Sequence, residues 1–177
     1  MSAAPAALFP ALLGVAFDGL PARVQALHRH PGAQRRHGEV RVERGRGAWS
    51  RLLAWATRLS PAGRGPITVE IVATPQDERW TRHVAGHAMP SRLWARDGLL
   101  CERLGLATFG FRLQLEADAI VWRVVRVRAL GLPLPARCFA GVVAREFERD
   151  GRYHFDVAAT LPWIGRLVHY RGWLDVG

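Results

Sequence analysis

The chain has no lysine and no asparagine, and among its 177 residues only two are cysteine. Cys101 and Cys138 form no CxxC pair and have no histidine at ligand spacing. A disulfide frame and a zinc site are therefore not expected, and a reducing cytoplasm is the expected location. Long apolar runs are missing as well. The charge-free stretch from Met1 to Phe17 is broken by Pro5 and Pro10 and stops at Asp18, which does not suit a membrane-spanning helix. It lacks the basic lead of a secretory signal. Also absent are a phosphate loop, GxGxxG, HExxH and GxSxG, which removes the enzyme classes those motifs define. No cofactor and no bound metal are expected.

Because lysine is missing, all 25 basic residues are arginine, and they set a net charge of +10. That bias has the character of GC-rich codon usage, which enriches arginine on any surface. Basicity alone therefore does not predict a specific nucleic-acid partner. Its distribution says more. Residues 1–66 hold ten arginines against three acids, whereas residues 67–177 hold fifteen against twelve, so the positive field belongs to the amino-terminal third. With 49% hydrophobic and 23% charged residues, the length and balance are those of a single globular domain over 1–177.

The first 66 residues read as mainly helical. Leu8, Leu12, Leu13 and Phe17 recur at helical spacing, and Pro21 suits the first turn of a second helix carrying Val24 and Leu27. His30-Pro31-Gly32 stops it. Glu39 to Glu43 alternates as one short strand, and Gly45-Arg46-Gly47 then opens a helix with Trp49, Leu52, Leu53, Ala56 and Leu59 on one stripe. From Ile67 onward the period is two. Strands are predicted near 67–73, 78–85, 88–96, 99–104, 107–117, 119–129, 139–149, 151–160 and 165–175, separated by turns such as Asp97-Gly98 and Asp150-Gly151. The expected fold is β-rich α+β: an antiparallel meander of about nine or ten strands curled into a barrel or half-barrel, with the amino-terminal helices packed on it.

Burial then selects strand register, because a one-residue slip exchanges the two faces. In the last hairpin, Tyr153, Phe155 and Val157 are expected to share an apolar face with Gly172, Tyr170 and Val168. That register sets His154 opposite Arg171 and Asp156 opposite His169. About an Ala117-Asp118 turn, Phe109, Phe111, Leu113 and Leu115 join Ile120, Trp122 and Val124, while Arg112 meets Arg123 on the other face. Glu102 falls among Leu93, Leu100 and Leu104, where it needs an arginine partner or a raised pKa.

The row His154, Asp156, His169 and Arg171, with Trp173 at its end, is the candidate site. Two imidazoles, a carboxylate and a guanidinium on adjacent strands can orient a polar head group or move a proton. Arg171 is expected to pair with an acidic head group, with Trp80 and Trp173 lining the wall. The bland reading of the same row is a solvated face with cross-strand ion pairing. His83 and His87 stand four apart but need not converge on a metal. Gly45-Arg46-Gly47 reads as a turn before it reads as an anion site. The helix with Trp49, Trp55, Arg46, Arg51 and Arg58 either packs its stripe on the sheet or lies weakly on an anionic membrane.

Several stretches carry a family resemblance: Val42-Glu43-Arg44-Gly45-Arg46-Gly47, Glu78-Arg79-Trp80-Thr81-Arg82, Asp97-Gly98-Leu99-Leu100, Gly131-Leu132-Pro133-Leu134-Pro135, Tyr153-His154-Phe155-Asp156-Val157, and Val168-His169-Tyr170-Arg171-Gly172-Trp173-Leu174-Asp175-Val176. From about Leu8 to the end the chain resembles the bacterial family called domain of unknown function 4166. The resemblance supplies no catalytic residues. Members fused behind a nucleotide-binding oxidoreductase domain imply a helper or ligand-presenting role and an oxidoreductase partner, although this chain has no room for that domain. The leading expectation is a module binding a lipid-like or other hydrophobic small molecule in a barrel-like pocket. Its rivals are a small cofactor-free enzyme using Asp156 and His169, or Glu102, as acid and base, and an interaction domain docked to an oxidoreductase or an anionic surface.

Overall fold

A computed structural model describes residues 7–177; Pro5, one of the two expected breaks in the first apolar stretch, lies outside them. Helix α1 (Leu8–Leu13) runs through a 3-10 segment, Gly14–Gly19, to α2 (Ala22–Arg29) and then β1 (Gly32–Arg44). Helix α3 (Ala48–Ala56) leads into β2 (Gly63–Ala73), β3 (Glu78–Val84), β4 (His87–Arg96), β5 (Leu99–Leu104), β6 (Ala107–Glu116) and β7 (Ala119–Ala129). The short β8 (Leu132–Leu134) precedes β9 (Gly141–Arg149), β10 (Arg152–Leu161) and β11 (Gly165–Asp175). Each strand pairs antiparallel with its sequence neighbour, β9 returns to β7, and β1 pairs with β11. Ten strands thus close a barrel, with β8 appended to β7. No helix among the described residues is long and apolar enough to cross a membrane.

Tight hairpins make this closure possible. At Ala85-Gly86, Asp97-Gly98, Leu130-Gly131 and Asp150-Gly151 both turn residues have positive φ, the backbone that matches the right-handed twist of two-residue hairpins. Alternation then sends one face of each strand inward. Val40 and Val42 of β1, Ile67, Val69 and Ile71 of β2, and Ile120 and Trp122 of β7 are all buried. On the β6–β7 hairpin Leu113 faces Trp122, Leu115 faces Ile120, and Arg112 faces Arg123, as the pattern predicted. The arginine pair is relieved on the outside, where Arg123 donates to Glu116 at 2.7 Å.

Three expectations are corrected. The short strand at Glu39–Glu43 is a 13-residue strand from Gly32. Its early inward positions are Gln34, Arg36 and Gly38 rather than apolar residues, because they lie at a barrel end under α2, where Gln34 donates to the Leu27 carbonyl at 2.9 Å. On α3, the inward face is Ser50, Leu53 and Ala54, with Trp49, Leu52 and Trp55 turned out. Ser50 sits within reach of the Arg166 carbonyl at 3.3 Å, so the helix lies close to β11 and only small side chains fit beneath it. In the last hairpin, Asp156 lies opposite Arg171 and His154 opposite Trp173. The pairing shifts at an irregularity between Ala159 and Thr160. That irregularity accounts for one residue and the three-residue loop 162–164 for the other, so the register differs by two residues, one full period, and Phe155 and Tyr170 still share the inner face.

The two ends of the barrel differ. At one, Phe9, Phe17, Leu20, Val24 and Leu27 of the amino-terminal segment are buried. The ring of Phe9 stacks on His28 at 3.6 Å and reaches Trp122 at 5.5 Å. We call this the closed end. A helix as short as α2 is marginal alone and is held by this packing, together with the Arg23 amide donating to Glu148 at 2.9 Å. The other end, the mouth, carries α3 across part of its rim.

β1 and β10 both crowd β11 at Gly172, where an added Cβ would stand 2.2 Å from the Glu39 carbonyl oxygen and 2.7 Å from Phe155 Cζ. Gly172→Ala is therefore expected to destabilise the barrel by about 1–3 kcal/mol, the usual cost of overpacking. The check is the urea midpoint of unfolding, and an unchanged midpoint would contradict the packing described.

Candidate functional site

A side chain from every second residue does not fill a ten-stranded barrel. An eight-stranded one is just wide enough for its own side chains or one small guest. Here a cavity of about 510 Å³ remains, running from Trp80 and Trp122 near the closed end to Leu106, Leu134 and Trp163 at the mouth. Its wall is largely aliphatic and aromatic, including Val69, Phe109, Phe111, Val142, Phe155 and Leu167.

A few polar groups interrupt that wall. The inward residues of β3, from closed end to mouth, are Glu78, Trp80, Arg82 and Val84. Arg82 donates to Ser91 Oγ at 3.0 Å and to Glu102 Oε1 at 3.3 Å, and its guanidinium lies 5.2 Å from the centre of the Trp80 ring. Glu102 is buried opposite Leu93 and has the arginine partner its position required. Across the barrel, Glu146 of β9 is buried and meets His28 Nε2 of α2 at 2.5 Å. Tyr153 of β10 lies beside the same carboxylate; burial first, and then the charge of Glu146, push its phenol well above the ordinary tyrosine value. Tyr170 accepts from the Ser60 amide at 3.2 Å, and burial raises its phenol too. Trp122 lines the cavity, yet its buried indole N–H has no hydrogen-bond partner among the described residues.

The residues singled out from sequence divide into two groups. Trp80 and Glu102 line the cavity. His154, Asp156, His169, Arg171 and Trp173 do not, because the opposite parity of their strands, Tyr153, Phe155 and Val157 with Val168 and Tyr170, points inward. On the outer wall, Asp156 Oδ1 and His169 Nε2 are 2.7 Å apart, and Arg171 donates to Glu43 at 2.8 Å. Burial opposes ionisation of Glu43, but the Arg171 hydrogen bond and the charges of Arg171, Arg41 and Arg166 hold it below the ordinary carboxylate range. His154 stacks on Phe147 at 5.5 Å, and burial with nearby Arg149 lowers its pKa. Arg152 lies over the Trp173 ring at 4.3 Å. Glu102 and His169 therefore stand on opposite sides of the barrel wall and cannot share a cleft. His83 meets Glu70 at 3.3 Å and His87 the Arg58 carbonyl at 3.0 Å, so the two histidines do not converge. No cluster of metal-ligating side chains occurs among the described residues.

The family model for a domain of unknown function (DUF4166) matches residues 20–174. The chain belongs to this family. No curated protein matches it closely enough to lend an activity. In this DUF4166 chain, then, chemistry has to be read from the cavity itself. Arg82, Glu146 and His28 were not singled out from sequence, and Tyr153 was read only as part of the inner apolar face. A signal existed for two of them: Arg82 shares its strand parity with Trp80 and Val84, and Glu146 with Val142 and Ala144.

Glu78 is buried at the closed end and accepts from Trp80 Nε1 at 2.8 Å. Burial pushes its carboxyl above the ordinary range, against the opposing Trp80 hydrogen bond. The folded chain therefore holds this proton to higher pH than the unfolded chain. The associated stability is complete below the unfolded value and is lost as pH rises through the folded one. Glu78→Gln keeps an acceptor for Trp80 without the charge. Thermal midpoints measured over pH are expected to show wild type losing ground to Glu78→Gln as pH rises above about 4. A difference that stays constant with pH would contradict the assignment.

Proposed function

We propose that the protein is a binding module that encloses one largely apolar, uncharged molecule carrying a hydroxyl or carbonyl group. The observation that carries this reading is the cavity of about 510 Å³, apolar along its length and reaching the rim at the mouth. Its size falls in the range of roughly 300–1,000 Å³ usual for small-molecule sites. Most of its affinity would come from apolar area removed from water.

The polar groups decide the guest's charge. One guanidinium, Arg82, is already paired with Glu102, and Glu146 is held by His28 beside Tyr153. An anionic guest would bring another carboxylate beside two existing ones, with no unpaired cation among the residues that line the cavity to receive it. A neutral oxygen can instead accept from the unpartnered Trp122 N–H at no such cost. The acidic head group expected to pair with Arg171 has no place in this reading, since Arg171 is on the outer wall and engaged by Glu43.

Displacement of an environment-sensitive fluorescent probe tests the proposal. At neutral pH a long-chain alcohol is expected to displace the probe at least tenfold more strongly than the carboxylate of equal chain length. Ala144→Phe, which adds a ring to the cavity wall, is expected to weaken the probe tenfold or more with the circular dichroism spectrum unchanged. Stronger displacement by the carboxylate would overturn the neutral guest, and undiminished binding by Ala144→Phe would remove the guest from the barrel.

A further inference from the structure

The rim of the mouth is apolar where a solvated rim would be polar. Trp163 is 96% exposed, Leu130 74%, Trp55 73%, Leu132 69% and Trp49 68%. These side chains come from three separate connections: α3 between β1 and β2, the β7–β8 turn with β8, and the β10–β11 turn. Topology brings all three to one end of the barrel. Leu106, half exposed in the β5–β6 turn, joins them; its amide donates to the Ala56 carbonyl of α3, and its carbonyl accepts from the Leu130 amide. Scattered apolar side chains need no explanation, but a contiguous rim of this kind marks a surface that meets something apolar.

Charge follows the same axis. Each hairpin connection at the closed end carries an aspartate: Asp77, Asp97, Asp118 and Asp150. At the mouth, residues 44–69 contain five arginines and no acid. Arg46, Arg51 and Arg58 are exposed beside the tryptophans of α3. Arg41, Arg44, Arg46, Arg51, Arg64 and Arg166 surround a groove in which Glu43 is the sole acid. Those aspartates stand beside arginines, Arg92 on Asp77, Arg96 on Asp97 and Arg149 before Asp150, so the closed end is of mixed charge, whereas the mouth is at once aromatic and cationic.

We propose that the mouth docks on an anionic lipid bilayer, with Trp49, Trp55, Trp163 and Leu130 entering the interface and the arginines meeting lipid phosphates. Tryptophan suits the headgroup boundary, and arginine can lay its stem on apolar surface while its head reaches phosphate. The charge selects an anionic membrane over a protein surface, because Glu43, the one carboxylate in that groove, is already taken by Arg41, Arg166 and Arg171 and leaves none for a mixed-charge partner. Docked this way, the cavity opens toward the lipid phase, so an apolar guest passes between bilayer and barrel without crossing water. That consequence rests on the guest reading; docking itself does not.

Co-sedimentation with vesicles of phosphatidylcholine, alone or mixed with phosphatidylglycerol, tests the docking without any guest. Binding is expected only with phosphatidylglycerol and to weaken as salt rises. Each arginine near the surface contributes roughly fivefold, so Arg46→Gln with Arg51→Gln and Arg58→Gln is expected to weaken binding by about a hundredfold. Trp55→Ser with Trp163→Ser is expected to abolish sedimentation, while Arg149→Gln at the closed end leaves it unchanged. All these positions are exposed, and circular dichroism should report an unchanged fold. Equal binding to both vesicle types, a greater loss from Arg149→Gln than from the mouth variants, or self-association that the tryptophan variants abolish in the absence of vesicle binding would each overturn the proposal.

Discussion

Closing ten strands into one barrel creates more interior than their own side chains occupy, and the rest of the molecule follows from how that excess is handled. Edge strands disappear, because β1 bonds to β11 and β6 to β7; the interior must then be plugged, lined or left for something else. The amino-terminal helices plug one end with Phe9, Phe17 and Leu27. Apolar side chains line the middle. Nothing comparable fills the mouth, where α3 covers only part of the rim and the cavity persists.

The interior polar groups are compatible with this arrangement because they are paired among themselves. A lone carboxylate among leucines is costly, and removing one member of a buried pair leaves the other exposed to that cost. Arg82 with Glu102 and Glu146 with His28 and Tyr153 form two such sets, on different parts of the wall. Their mutual satisfaction leaves no unpaired cation in the cavity lining for a charged guest, while the Trp122 N–H is a donor without an acceptor among the described residues. The same economy appears outside, where Glu43 gathers Arg41, Arg166 and Arg171.

Much of the fold was legible because one-sided burial writes a period of two. The strands from β3 onward apart from the short β8, the Arg112 and Arg123 pairing and the inward Glu102 follow from that period and from turn residues such as Asp97-Gly98. The start of β1 was not legible, since Gln34, Arg36 and Gly38 lie inward at a barrel end covered by a helix, and there the apolar signal fails. The register of the last hairpin was displaced by two residues, one from its three-residue loop and one from the irregularity at Ala159, and burial cannot detect their sum because a shift of two preserves both faces. The candidate polar row was read either as a site or as a solvated face with cross-strand pairing, and it lies on the outer wall. The parity that put Tyr153, Phe155 and Tyr170 together already implied that Asp156, His169 and Arg171 faced away from them. Contact between His28 and Glu146, 118 residues apart, depends on how the helices dock and leaves no periodic trace.

The central claim is that the barrel interior is open and takes a guest. Methyl-resolved NMR of the full chain, titrated with a long-chain alcohol, reads this most directly. The methyl signals of Val69, Leu104 and Val142, which line the cavity, are expected to shift together and saturate at one alcohol per chain. Those of the outward Val72 should stay in place. Shifts confined to outward methyls, or none at saturating alcohol, would contradict the account.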